Sequence, residues 1–121
     1  MTRTDEKVGY LPEGEHRRHT PLSAAAGIET AIRMLEGRWK LVILFHLFSG
    51  KALRFSELER AIPAISQKML IQQLRQMEMD GIVTRFIYHQ VPPRVEYSLT
   101  DWGQSLCPAL DALLGWAEAK P

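Results

Sequence analysis

The stretch from Arg54 to Gly81 leaves this chain few folds to choose from. Pro63 lies near its middle, and a proline lacks the amide that a helix interior requires, so the stretch cannot run as one rod. Each half opens on a hydroxyl residue. Ser56 is followed three residues later by Glu59, a spacing at which hydroxyl and carboxylate satisfy two otherwise unpaired amides at a helix start. Ser66, a good N-cap residue, opens the second half. Gly81 ends it with the residue best suited to a left-handed C-terminal turn. The spacing predicts two helices joined by a tight turn, beginning at Ser56 and Ser66.

The second of these helices is two-sided. At 100° per residue Leu70, Leu74 and Met77 fall on one side and are expected to face a core. Lys68, Gln72, Arg75 and Gln76 fall on the other. Two cations and two amides on one exposed stripe are the groups that phosphates and base edges call for. The same residues are also good helix formers that solvate an ordinary surface, so the stripe alone does not decide between DNA and water.

Charge distribution bears on that choice. The 121-residue chain has a formal net charge of only +1. Residues 33 to 75 nevertheless carry eight Lys or Arg against three Glu, a local balance of +5. Residues 76 to 121 balance at −3 and the first 32 at −1. Positive charge therefore collects around the helix pair, which favours a nucleic-acid partner. Other classes find less support. Hydrophobic content of 45% suits one globular domain with a modest core. The apolar run Leu41 to Phe48 is too short to span a bilayer. The first residues lack the apolar core of a signal peptide, so a cytoplasmic protein, nucleoid-associated when on DNA, is expected. A single cysteine, Cys107, excludes an internal disulfide, and His16, His19, His46 and His89 show no metal-ligand spacing. No paired carboxylates, activated nucleophile or phosphate loop stand out, so neither enzyme nor cofactor is expected.

Taken in order, residues 1 to 22 mix charges, Gly, Pro and His and are expected to form a poorly ordered arm, where Arg17 and Arg18 are candidates for phosphate contact but read more simply as solvated. Residues 23 to 121 form the domain. From Ala24, Ile28, Ala31, Ile32 and Leu35 recur at helical spacing up to Gly37. Arg38 to Ser49 has almost no polar side and should be a helix buried nearly all round, His46 included. Leu53 to Phe55 reads as a short extended piece. Beyond Gly81 the period changes: Ile82 to Gln90 and Val95 to Leu99 suit two strands, joined by the stiff connector Val91-Pro92-Pro93-Arg94. Arg94, with His89 and Gln90, would occupy the tip. The expected fold is mainly α with a small β-hairpin (α+β), in a layout of helix, turn, helix and hairpin that matches a winged helix-turn-helix.

Thr100 is placed to cap a last helix running through Trp102, Leu106, Leu110, Leu113 and Trp116. Its apolar arc far exceeds the ~100° stripe that one packing face needs. Leu106, Leu110 and Leu113 can serve the domain's own core, which leaves Ala109, Ala112 and Trp116 in want of a partner. A second copy of the same helix is the economical one.

These residues also resemble a known family. The runs Gly37-Arg38-Trp39-Lys40, Arg54-Phe55-Ser56-Glu57-Leu58, Ile65-Ser66-Gln67-Lys68-Met69-Leu70 and Val91-Pro92-Pro93-Arg94-Val95-Glu96-Tyr97-Ser98-Leu99-Thr100 are similar to HxlR-type bacterial transcriptional regulators over about residues 24 to 118. The resemblance implies a dimeric winged helix-turn-helix protein on double-stranded operator DNA. Its dimer interface would draw on Ile28 and Ile32 of the first helix and Leu106, Ala109, Ala112, Leu113 and Trp116 of the last. Many members carry Cys-Pro-hydrophobic-Glu at the start of the first helix, with a cysteine that senses oxidants or electrophiles. Here Ala26-Gly27-Ile28-Glu29 stands there, with no thiol. Ala64 replaces the usual turn glycine.

The expected function is a sequence-specific, repressor-like regulator reading a pseudo-palindrome with half-sites about one helical turn apart. Ser66, Gln67, Lys68, Gln72, Arg75 and Gln76 would face the major groove, with Arg54 and Arg94 clamping the backbone on either side. The alternative is a winged-helix protein-interaction module that reads no DNA. A small apolar effector would find its place in an aromatic cleft beside Trp102 or Trp116, where core packing is the competing use of those rings.

Overall fold

The computed structural model describes residues 19–121, of which 19–35 and 36–121 belong to two separate units. Arg17 and Arg18 lie outside the described residues.

The first unit contributes one helix, α1 (Pro21–Leu35). It opens three residues before Ala24, because Thr20 and Pro21 make a good start. Thr20 Oγ1 accepts from the Ser23 amide at 3.1 Å, and proline at the first helical position gives up only an amide that has no partner anyway. The expected border between arm and domain thus falls inside a helix. None of its side chains is buried, and Ile28 and Ile32 are more than half exposed.

The second unit runs α2 (Lys40–Leu47), β1 (Leu53–Arg54), α3 (Phe55–Ala61), α4 (Gln67–Met79), β2 (Val83–Tyr88), β3 (Arg94–Leu99), α5 (Asp101–Gln104) and α6 (Leu106–Glu118). The strands form an antiparallel sheet in the order β1-β3-β2. Val83 to Tyr88 pairs with Leu99 to Arg94, and Leu53 and Arg54 pair with Tyr97 and Glu96. The hairpin is therefore a three-stranded wing anchored at its base by the entry to α3. The core comprises Ile43, Leu44 and Leu47 of α2, Leu58 of α3, Ile62 and Ile65 of the following turn, Leu70, Leu74 and Met77 of α4, and Ile82, Val83 and Leu110.

Three expectations are corrected. Helix α2 is not buried all round: Ile43, Leu44 and Leu47 face inward, while Leu41, Val42 and Phe45 are exposed. One domain of this size offers α2 packing on one side only. Helix α3 is capped by Arg54 and Glu57 rather than Ser56 and Glu59, since the Glu57 carboxylate accepts from the Arg54 amide at 2.7 Å. A guanidinium has no acceptor to return the bond, so half of a capping box is made. The last helix is broken at Ser105. Pro108 has no amide to offer the Gln104 carbonyl, and the run divides into α5 and α6 there.

Helix α4 ends in a Schellman turn. The Gly81 amide donates to the Glu78 carbonyl at 3.1 Å and the Ile82 amide to Met77 at 2.9 Å, with Gly81 at φ +80°. Thr100 closes this turn from the far side of the sheet. Its hydroxyl donates to the Gly81 carbonyl at 2.7 Å and accepts from the Gly103 amide at 2.9 Å. Gly103 presses on Ile82 so closely that a Cβ at this position would collide with the Ile82 carbonyl oxygen. Backbone cannot yield as a flexible side chain can. Gly103→Ala should therefore cost about 1–3 kcal/mol, the usual range for overpacking, measured as a lower urea midpoint at unchanged m-value.

Candidate nucleic-acid interface

The exposed face of α4 starts with its cap. Ser66 has extended backbone, and its hydroxyl accepts from the Met69 amide at 3.0 Å. With Leu70, Leu74 and Met77 turned inward, Gln67, Ile71, Arg75 and Met79 form one outward row and Lys68, Gln72 and Gln76 a second beside it. Together they line a shallow groove of about 540 Å³. The structure thus brings Gln67, Lys68, Gln72, Arg75 and Gln76 onto one face, with exposed Ser66 at its head. The Gln76 amide already reaches Asp80 at 3.4 Å.

Ile71 and Met79 are the members of this face that charge and amide content do not flag. Helical spacing finds them, as they recur at i+4 from Gln67 and Arg75.

A second groove, of about 400 Å³, separates α4 from the wing. Gln67, Ile71, Arg75 and Glu78 line it from the helix, and Arg85, Val95 and Tyr97 from the sheet. Arg85 and Tyr97 are cross-strand partners, and Arg85 Nε lies 3.5 Å from Glu78 Oε1. Burial pushes the Tyr97 hydroxyl above its ordinary pKa; nearby Arg85 and Arg75 oppose this and Glu78 adds to it. The phenol therefore stays a hydrogen-bond donor through the neutral range. Arg85 did not stand out in the sequence because it sits inside a strand of apolar and aromatic residues.

Arg54 and Arg94 do not flank α4 on opposite sides. Both line a third groove, of about 330 Å³, with Ser56, Gln90, Pro92 and Pro93. The cause is the β1–β3 pairing, which sets Arg54 opposite Glu96 and so two residues from Arg94. Arg94 is folded onto the wing. Its guanidinium lies 4.2 Å from the Tyr88 ring centroid, and its Nε is 3.4 Å from Glu96 Oε2 without hydrogen-bond alignment. What the tip presents outward is His89, Gln90, Val91 and the two prolines.

At the other end of the chain, Ala109, Ala112, Leu113 and Trp116 are exposed on α6, Leu106 is half-buried, and Leu110 alone reaches the core. Leu113 is therefore not a core residue: it is 57% exposed, and Leu114 beside it 47%. No helix among the described residues is long and apolar enough to cross a membrane, and no group of three His, Cys, Asp or Glu among them could hold a metal ion.

The HxlR-like helix-turn-helix family model matches residues 34–120. The chain belongs to this family. It is 52% identical over 89 residues to the HTH-type transcriptional regulator YtcD of Bacillus subtilis, covering 74% of this chain and 70% of that one. Among solved structures it is similar to the redox regulator HypR in its reduced form, with 44% identity, a TM-score of 0.71, and 77% and 91% of the two chains covered. It is also similar to a protein from Enterococcus faecalis described as a MarR-family transcriptional regulator, with 40% identity, a TM-score of 0.77, and 84% and 91% covered. The match of 34–120 leaves most of α1 outside the family model and takes in all of α2 to α6.

The stacking of Arg94 on Tyr88 holds the base of the tip. Tyr88→Leu should cost about 0.5–1 kcal/mol, as expected for a partly exposed cation–π contact, read from the shift in a chemical denaturation curve.

Proposed function

We propose that this protein is a dimeric, DNA-binding transcriptional regulator that works at the nucleoid in the cytoplasm. Helix α4 enters the major groove of a pseudo-palindromic operator, and the wing lies along the neighbouring backbone or minor groove. The observation that carries this reading is the outer face of α4: a capped helix with Ser66, Gln67, Lys68, Gln72, Arg75 and Gln76 exposed, and with the wing beside Gln67 and Arg75 across an open groove. Amides and a guanidinium match adenine and guanine edges, and an ammonium matches phosphate. The names of the relatives point the same way.

Arg54 joins Lys68 as a backbone-neutralising group, and Arg94 reaches phosphate only by leaving Tyr88. The dimer is formed through Ile28 and Ile32 of α1 and through Leu106, Ala109, Ala112, Leu113 and Trp116 of α6. So much exposed hydrocarbon on a small monomer is a liability unless a second copy covers it. Such a dimer on its operator acts repressor-like, by occlusion.

Selection from a random duplex library should yield an inverted repeat with half-site centres ~34 Å apart. On that duplex, Lys68→Ala should weaken all sequences alike and reduce the slope of log affinity against log salt by about one. Arg75→Ala should cost about 1–3 kcal/mol on the cognate site and relax preference at one base pair. Titrations at several salt concentrations check both, and an unchanged slope together with unchanged preference would sink the proposed reading face.

Sedimentation should find a dimer. Trp116→Glu combined with Leu113→Glu should give folded monomers with at least tenfold weaker operator binding, because each half-site is then held alone.

A further inference from the structure

We propose that Ile71 reads a base: its side chain packs on the C5-methyl group of a thymine in each half-site. This rests on the assignment of α4 to the major groove.

Ile71 is out of place as a core residue. Its neighbours Leu70, Leu74 and Met77 are at most 1% exposed, whereas Ile71 is 36% exposed and lies on the flank of the helix, about 90° round from the core side at 100° per residue. Gln67 stands one turn before it and Arg75 one turn after it, with Lys68 and Gln72 alongside. Its inner flank borders the groove to the wing with Val95 and Tyr97, and its outer flank stays open among the four polar groups. Isoleucine is also a poorer helix former than the Gln, Lys and Arg around it.

The major groove supplies what solvent does not. Of the four bases only thymine presents hydrocarbon there, at C5. Amide and guanidinium groups recognise the edges of adenine and guanine but have no means of recognising a methyl. A β-branched side chain on a helix is held in essentially one rotamer, so Ile71 is a stiff apolar knob between two hydrogen-bonding groups. It is also the fifth residue of α4, in the half of a recognition helix that meets base edges. Met79 is more exposed, at 80%, but it is the last residue of the helix, where the chain turns away at Gly81.

The test uses the full chain and the duplex it selects from a random library. Each thymine is replaced in turn by deoxyuridine, which removes only the methyl. Wild type should show one position per half-site where uracil weakens binding about three- to tenfold, the effect expected of one buried methyl. Ile71→Ala should bind the thymine duplex more weakly and lose sensitivity to uracil at that position alone, while Ile71→Val should keep it. Thermal unfolding of each variant separates loss of contact from loss of fold.

The inference is overturned if no uracil position weakens wild type, or if Ile71→Ala carries the full uracil penalty. Failure to select any sequence would instead sink the DNA-reading assignment itself, and this inference with it.

Discussion

The arrangement turns on one hydroxyl. Thr100 Oγ1 donates to the Gly81 carbonyl that ends α4 and accepts from the Gly103 amide that begins α5. Its own amide is bonded to the Ile82 carbonyl. Three segments that share no local sequence are thus fixed within one turn: the end of α4, the end of the wing and the start of the C-terminal helices. Gly103 lets them close, since any side chain there would meet the Ile82 carbonyl. The Gln104 amide, bonded to the Phe48 carbonyl at 3.2 Å, extends the same junction to α2. The proposed function needs this economy. If α6 pairs with its copy, the separation of two α4 helices is set by how stiffly α4 and α6 are joined.

The wing shows a related use of paired charge. Glu78 faces Arg85 and Glu96 faces Arg94, so two of the wing's cations are already engaged with acids on α4 and β3. Such part-exposed pairs add little stability. They do hold long side chains in place, and a side chain held in place loses less entropy when a partner arrives. Arg94 also has the Tyr88 ring beneath it.

Much of the fold was legible because it is written in punctuation. Pro63, Ser66, Gly81 and Thr100 act locally, through capping and backbone conformation, and all four behave as their residue types require. The fold class and the hairpin follow from the same reasoning. What could not be read depends on where the chain returns. The choice of Arg54 over Ser56 as the α3 cap follows from β1 pairing with β3, a contact between residues more than forty apart. Periodicity alone cannot see such a contact. The same pairing brings Arg54 and Arg94 into one groove. Helix α2 misled for the opposite reason: an apolar composition does not say which of its sides the fold will cover. That Gln67, Lys68, Gln72, Arg75 and Gln76 share one exposed face was legible; that Ile71 borders it was not, since a search for charge and amide groups passes over an aliphatic residue.

Net charge then constrains how such a regulator holds DNA. With +1 overall, and with Arg85 and Arg94 engaged by acids, the cations on the reading side that carry no ion pair among the described residues are Lys68, Arg75 and Arg54. Releasing a few counterions per copy provides only weak, sequence-independent binding. On the proposed reading, affinity comes from base contacts and from having two copies on one duplex. A second reading head, held at the right spacing, binds at the high effective concentration set by the first. On the proposed reading, the exposed apolar residues of α6 and the crowded Thr100 junction serve recognition by joining and spacing the two copies. A chain with a more basic surface would hold any duplex alone and need neither. In the proposed dimer this chain would gain from its second copy only when both half-sites match, so that its modest charge would serve selectivity.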